Sequence, residues 1–379
     1  MQRILMPLQI GIVGLPNVGK STLFSAITKK AVDCANFPFC TIDPNVGVVE
    51  VPDARLAKLS AISGSQKIIP TTIEFVDIAG LVKGASEGQG LGNKFLSHIR
   101  EVDAILEVVR FFESKDIIHV NGSVDPQRDM ETIAIELQLS DLENVNKRLE
   151  SVHKGAKSGD REMVVKKQVL EKYKEVLEKG EMANTVHLSD EEKDNSKDIQ
   201  LLTNKPFMFV ANHKFDLDKK TFSSVIPSNA GILNQDAKIP DQVGNDKSFI
   251  VIDAQLESEL AELEDAERIE YLKELGLPES GLDKIIKAAY QTLGLITFIT
   301  AGPKESKAWT CQKGTKAPQA AGKIHTDFEK GFIRAEVIKW DKLLEAKGYA
   351  GAREKGWLRV EGKDYIVQDG DVVHFRFNV

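Results

Sequence analysis

The sequence predicts an α/β chain. A P-loop domain with a doubly wound, mostly parallel sheet is interrupted by an antiparallel coiled-coil helical hairpin and followed by a small α+β domain. Three observations carry this. Strand-like and helix-like segments alternate over residues 1–125 and again over 201–295. Gly14–Ser21 reads G-x-x-x-x-G-K-S between an apolar run and a helical one. Residues 127–180 switch to heptad spacing.

Each element has its own reason. Leu8–Val13 is a continuous apolar run, as expected of a strand covered on both faces. Thr22–Lys30 then sets Leu23, Phe24 and Ile27 at helical spacing. Asn36–Asn45, rich in proline and polar groups, is a loop. Val46–Val51 and Thr72–Val76 are strands, and the second delivers Asp77-Ile78-Ala79-Gly80, a D-x-x-G. Five glycines between Gly80 and Gly92 make a segment that a ligand is needed to order. Phe95–Val102 reads as a helix and Ala104–Val109 as a buried strand.

Farther on, Ile135, Leu142 and Leu149 recur every seven residues, as do Val145 and Val152. Gly155–Gly159 breaks the helix, and Met163–Lys179 returns with Val169, Tyr173, Val176 and Leu177 on one face. The acidic stretch Leu188–Asp198 leads back to a strand, Pro206–Ala211, that ends at Asn212. Asp216–Lys247 is polar and poorly patterned; Phe249–Ile252 is a strand, Glu257–Leu275 an acidic helix and Leu282–Leu293 another helix. Beyond them, short β-like runs fall at Ile296–Thr300, Ala335–Ile338, Tyr365–Val367 and Val372–Phe377. The expected division is a P-loop domain over 1–126 and 201–295, a hairpin over 127–200 and a C-terminal domain over 296–379.

Composition excludes some classes. Of 379 residues 42% are hydrophobic and 28% charged, as in ordinary globular proteins, and no apolar run approaches membrane-spanning length. The first seven residues have no secretory-signal pattern. Cys34, Cys40 and Cys311 lack metal-ligand or disulfide spacing, so a reduced cytoplasm is expected. A net charge of −7 argues against a general polyanion binder, yet Thr300–Val379 holds 15 Lys and Arg against 11 Asp and Glu. That asymmetry allows a local nucleic-acid face.

The chemistry begins at the P-loop. Backbone N–H groups of such a loop surround a polyphosphate at a helix N-terminus. Lys20 reaches the β/γ oxygens and the Ser21 hydroxyl can ligate Mg²⁺. A loop threonine, Thr41, and then D-x-x-G follow in the order of a G-protein-type switch. Thr41 would close on Mg²⁺ and the γ-phosphate, Asp77 would hold the metal's water shell, and the Gly80 N–H would meet the γ-phosphate. Guanine is normally selected by an Asp three residues after an Asn. Here the loop is Asn212-His213-Lys214-Phe215-Asp216, with Phe215 at that position and Asp216 one residue late. Guanine's N–H groups would go unpaired, which favours ATP. The other candidate, Asn204-Lys205-Pro206-Phe207, lacks the acid too and precedes its strand. Leu81 replaces the glutamine that orients water in Ras-type enzymes, leaving His98 and His119 as nearby titratable groups. His119 sits in the apolar run Ile117–Val120, which fits a buried structural histidine better than a catalytic one. A GTPase of the same fold, and a nucleotide-sensing binding module with incidental hydrolysis, remain as rivals.

Gly11–Ser21, Asn36–Thr41, Phe75–Ala85 and Ala317–Ile333 together resemble the YchF/Obg-like ATPases over nearly the whole chain. The resemblance implies an OBG-type G domain interrupted by a coiled-coil hairpin and followed by a TGS domain of β-grasp type. It implies ATP preferred over GTP, a hydrophobic residue where the catalytic Gln would be, ribosome association, and roles in translation and stress responses. By motif, Asn17, Val18, Gly19, Lys20, Ser21 and Thr22 would bind the phosphates, Ser21 and Thr41 Mg²⁺, and Asn212 adenine. Phe215 stands where that family usually has an acidic residue. Lys304, Lys307, Lys313, Lys316 and Lys323, near Trp309 and His325, could meet rRNA, as could Lys154, Lys157, Arg161, Lys166 and Lys167 of the hairpin.

Overall fold

The computed structural model describes residues 8–31, 45–78, 93–114, 116–157, 160–217, 221–222 and 249–378. β1 (Gln9–Val13), buried over most of its length, feeds the phosphate-binding turn, and α1 (Lys20–Lys29) then buries Leu23, Phe24 and Ile27. β2 (Val46–Glu50) follows. An excursion comes next that the sequence reading missed: α2 (Ala54–Ser63), capped by the Asp53 carboxylate accepting from the Arg55 N–H, and β3 (Lys67–Ile69). β4 (Thr72–Asp77) returns antiparallel to β2; α3 (Asn93–Glu101) crosses over to β5 (Ala104–Arg110), which is buried at every position.

α4 (Pro126–Lys157) changes partner along its length. Ile133 and Leu137 belong to the core under the sheet, whereas Val145 and Val152 pack against Val169, Leu170, Tyr173 and Leu177 of α5 (Arg161–Glu178). The heptad therefore does not extend to Ile135, which is 52% exposed: the coiled-coil face begins only beyond the level where α5 ends. The helix also runs through Gly155, whose missing side chain leaves room for Met163 of α5. α6 (Asp190–Asn195), opened by a Ser189/Glu192 capping box, lies within the acidic return stretch. The Asp141 carboxylate accepts from the Leu202 and Thr203 N–H groups at 2.9 and 2.8 Å, which pins α4 to the entrance of the next strand.

That strand is β6 (Phe207–Asn212). After it come the two-residue strands β7 (Phe215–Asp216) and β8 (Thr221–Phe222), then β9 (Phe249–Ile252). The single helix expected over Glu257–Leu275 is two, α7 (Ala254–Leu260) and α8 (Asp265–Glu274). The break lets Leu256 and Leu260 face Leu272 and Leu275 around Phe215. α9 (Gly281–Thr292) closes the domain. The sheet order is β2-β4-β1-β5-β6-β9, and every pairing except β2 with β4 is parallel. The C-terminal ends of β1, β4 and β6 therefore share one edge, and the strand order switches sides at β1, which lies between β4 and β5, the kind of point where open α/β sheets bind ligands.

The C-terminal part contains β10 (Leu295–Ala301), β11 (Glu305–Gln312), α10 (Ala317–Ile324), α11 (Thr326–Lys330), β12 (Phe332–Lys339), α12 (Trp340–Glu345), α13 (Tyr349–Glu354), β13 (Arg359–Glu361) and β14 (Asp371–Phe377). Tyr365–Val367 is not a strand; only Ile366 bridges to Lys316, and the Tyr365 hydroxyl donates to the buried Asp371. The sheet order is β13-β12-β14-β10-β11-β3, so β3, from between β2 and β4, supplies its last strand. α10 covers one face, and α12 with Leu56 and Leu59 of α2 covers the other.

Candidate functional site

The turn after β1 has the conformation its residues dictate. Gly14 and Gly19 have φ of 150° and 98°, and Asn17, one of the residue types that tolerates it, has φ 63°. A Cβ on Gly19 would lie 2.1 Å from the Asn212 amide nitrogen, so only glycine fits there. α1 begins at Lys20 with no side chain capping its first turn, which leaves N–H groups facing the loop. Lys20 is buried, and its ammonium donates to the Leu15 carbonyl at 2.5 Å. Burial pulls its pKa down to about 8, with Asp77 acting in the opposite direction. Ser21 is exposed and Thr22 half-buried at the mouth. Asp77 ends β4, in register with Ile12 of β1. Thr41, Gly80 and Leu81 lie outside the described residues.

Two side chains hold this loop from other elements. Asn212 donates from its amide nitrogen to the Val18 carbonyl and accepts from the Ala254 N–H at 3.0 Å, so its amide is engaged within the protein. Arg110, 1% exposed at the end of β5, donates to the carbonyls of Asn17, Phe112 and Ile117 at 3.3, 2.9 and 3.0 Å. Asn17 answers by donating to the Ile118 carbonyl at 3.0 Å. The sequence reading missed Arg110; its signal was a charge closing an otherwise unbroken apolar strand at the ligand-binding edge. In the same segment His119 is buried. Its Nδ1 accepts from the Asn121 N–H, so Nε2 carries the proton that is shared with Asp129 of α4 at 2.8 Å. In this conformation both ring nitrogens are used. His98, on α3, is exposed.

The base-reading loop is closed to a guanine-type contact. Phe215 is 5% exposed and packs on Leu256 and Leu260. The nearest carboxylate along β9 is Asp253, already committed: it accepts from the N–H groups of Phe215, Gln255 and Leu256 at 2.8, 2.9 and 3.3 Å.

The two basic surfaces expected for RNA differ in kind. On the hairpin, Arg161 pairs with Glu191 and Lys166 with Asp198, because the acidic return stretch folds back along α5, and Lys167 pairs with Glu171 one turn along the same helix. Lys157 is exposed, and the Lys154 side chain lies outside the description. In the C-terminal sheet, Lys316 pairs with Asp364 and Lys307 lies over the Trp309 ring at 4.0 Å. Among the described residues Lys304, Lys313 and Lys323 have no carboxylate within 4.0 Å. No helix among the described residues is long and apolar enough to cross a membrane.

Comparison with known proteins agrees with this geometry. Residues 9–150 match a family described as 50S ribosome-binding GTPase, and residues 295–378 match the C-terminal domain family of YchF GTPases, described as a protein of unknown function. The chain is 54% identical over 375 residues to the ribosome-binding ATPase YchF of Bacillus subtilis, covering 99% of this chain and 100% of that one. It is 51% identical over 374 residues to the protein of the same name from Escherichia coli O157:H7, with the same coverage. The solved Schizosaccharomyces pombe YchF GTPase superposes with a TM-score of 0.86 at 38% identity over 99% of each chain. On the P-loop site, the two-part architecture and these full-length relatives, the chain belongs to the YchF family.

Proposed function

We propose that this chain is a cytoplasmic, Mg²⁺-dependent ATPase with low intrinsic turnover, whose nucleotide state governs its association with the ribosome and thereby translation or stress responses. The observation that carries the reading is the phosphate cradle itself: a glycine turn, the uncapped start of α1 and buried Lys20, held by Asn212 from β6 and Arg110 from β5. The relatives' name supports the ribosome and ATP. Adenine is favoured because Phe215 is packed away and Asp253 is spent on backbone N–H groups, so guanine's donors would be desolvated unpaired.

The residues present fit a divalent ion. Ser21 offers an exposed hydroxyl at the start of α1, with Asp77 at the end of β4 as outer-shell support and Thr41 as the third group. Bound Mg²⁺ would neutralise charge on the β and γ oxygens. Lys20 binds the same oxygens, Asn17–Thr22 supply backbone donors, and the Gly80 N–H meets the γ-phosphate. His119, in the segment tied to Asn17, is the group assigned to position water once it leaves Asp129. The reading divides the chain at 1–126, 127–200, 201–295 and 296–379.

A GTPase is the second reading, favoured by the name of the S. pombe relative. Calorimetry with non-hydrolysable ATP and GTP analogues separates the two; tighter GTP binding overturns the first. Sedimentation with ribosomes in the ATP-analogue, ADP and nucleotide-free states tests the switch, which fails if all three behave alike.

A further inference from the structure

We propose that Arg110 is a positioning residue for hydrolysis: its guanidinium fixes one peptide of the phosphate loop and, at the same time, the chain that carries His119. The proposal rests on the assignment of His119 above. Arg110 closes β5, is 1% exposed and spans three backbone carbonyls. Its Nη1 donates to Asn17 of the loop at 3.3 Å, Nε to Phe112 at 2.9 Å and Nη2 to Ile117 at 3.0 Å. The guanidinium carbon stands 4.4 Å from the centroid of the Phe112 ring, which fixes its plane. The acid that acts on it, Asp129, is taken by His119 and Arg128 at 2.8 and 3.4 Å. The guanidinium is thus committed to backbone position rather than to an ion pair.

On the loop side the contact sets a direction. Asn17 has φ 63°, a conformation that costs energy outside glycine and persists where its surroundings hold it. In a planar trans peptide the N–H points away from the C=O. Arg110 draws the Asn17 carbonyl toward β5, which turns the Val18 N–H the other way, into the turn. Asn212 acts alike one peptide later: it draws the Val18 carbonyl at 2.9 Å and turns the Gly19 N–H. Two side chains at the ends of neighbouring strands, β5 and β6, therefore orient two successive phosphate donors.

On the far side the same fork holds the approach to His119. Ile117 and Ile118 are 42% and 78% exposed, so side-chain packing does not place them. Hydrogen bonds do: Ile117 is held through Arg110, and Ile118 by the Asn17 amide at 3.0 Å. Both carbonyls just ahead of His119 are thereby tied to one loop residue, Asn17, the first through Arg110 and the second directly. They form a fixed pivot from which His119 can leave Asp129 and stay beside the phosphates. A lysine would keep the charge but lacks the rigid fork that spans three carbonyls.

The test uses the full-length chain with Arg110→Met, Arg110→Lys, His119→Ala and the double variant Arg110→Met/His119→Ala. Single-turnover ATP hydrolysis at saturating protein, calorimetry with a non-hydrolysable ATP analogue, and Tm are followed. Arg110→Met should slow hydrolysis of bound ATP by about 50-fold and weaken the analogue by about 5-fold, with Arg110→Lys recovering affinity more than rate. With His119 already removed, Arg110→Met should slow hydrolysis by less than about 3-fold more, because both act through one group. A merely structural arginine would lower Tm and affinity and leave that rate alone. Such a result overturns the proposal, as does a double variant whose rate losses multiply. Should Arg110→Met not fold, Asn17→Gly keeps the positive φ and cuts the tie to Ile118. It should slow hydrolysis by about 5-fold at unchanged Tm, and an unchanged rate overturns the proposal. A slow His119→Ala beside a fast Arg110→Met overturns the role of Arg110 alone. Full activity in His119→Ala overturns the assignment of His119 and the role of Arg110 with it.

Discussion

The Asn212 side chain reaches from the end of β6 to the Val18 carbonyl at 2.9 Å, joining the base-reading edge of the sheet to the phosphate loop. Asn212→Ala removes that bond and strands the Ala254 N–H, at about 1–3 kcal/mol. Nucleotide affinity measured by calorimetry should fall roughly 5- to 100-fold. Gly19→Ala attacks the same contact from the other side, forcing a methyl onto the Asn212 nitrogen at a φ of 98°, and should abolish binding. Near-normal affinity in either variant would mean that the tie is incidental.

Lys20 makes a pH prediction. Its folded pKa, about 8, lies below the ordinary 10.5, so the unfolded chain holds the proton more tightly. Stability of the nucleotide-free protein should therefore rise with pH between about 8 and 10.5 through this group. Phosphates favour the charged form. Binding near pH 8 should thus take up a proton, visible as a dependence of the calorimetric enthalpy on the buffer's ionisation enthalpy. Lys20→Met should lose both effects.

Phe215 is a core residue of the base loop. Phe215→Ala should cost about 3–5 kcal/mol in chemical denaturation, and Phe215→Asp more, because it buries a carboxylate among Leu256, Leu260 and Leu272. Neither should bind GTP more tightly than ATP. A folded Phe215→Asp protein that selects GTP would show that the loop can turn its side chain outward.

His119 separates hydrolysis from binding. His119→Ala should lower single-turnover hydrolysis by about 100-fold and leave nucleotide affinity nearly unchanged. Asp129→Asn keeps the neighbouring shape but weakens the hold on the ring, and should retain activity. If His119→Ala instead lowers only Tm, the pair is purely structural.

Much of this was legible in the residues. Apolar runs, the glycine spacing and the Lys20-Ser21 pair identify a strand, a turn and a helix start, because backbone conformation and local burial are written in consecutive positions. Phe215 and Leu81 were legible as departures for the same reason. What consecutive residues do not encode is which distant group completes a hydrogen bond or covers a face. Arg110 reads only as a charge after a strand until the fold puts the Asn17 and Ile117 carbonyls beside it. The cations of the hairpin look like a nucleic-acid surface until Glu191 and Asp198 fold onto them. The segment between β2 and β4 becomes part of the C-terminal sheet only because Leu56 and Leu59 find a second apolar layer there, far away in sequence. The sequence alone determined that a glycine-rich phosphate-loop motif follows β1. Tertiary structure decided what holds that loop, and which charges stay free for a partner, since both depend on pairings made across the fold.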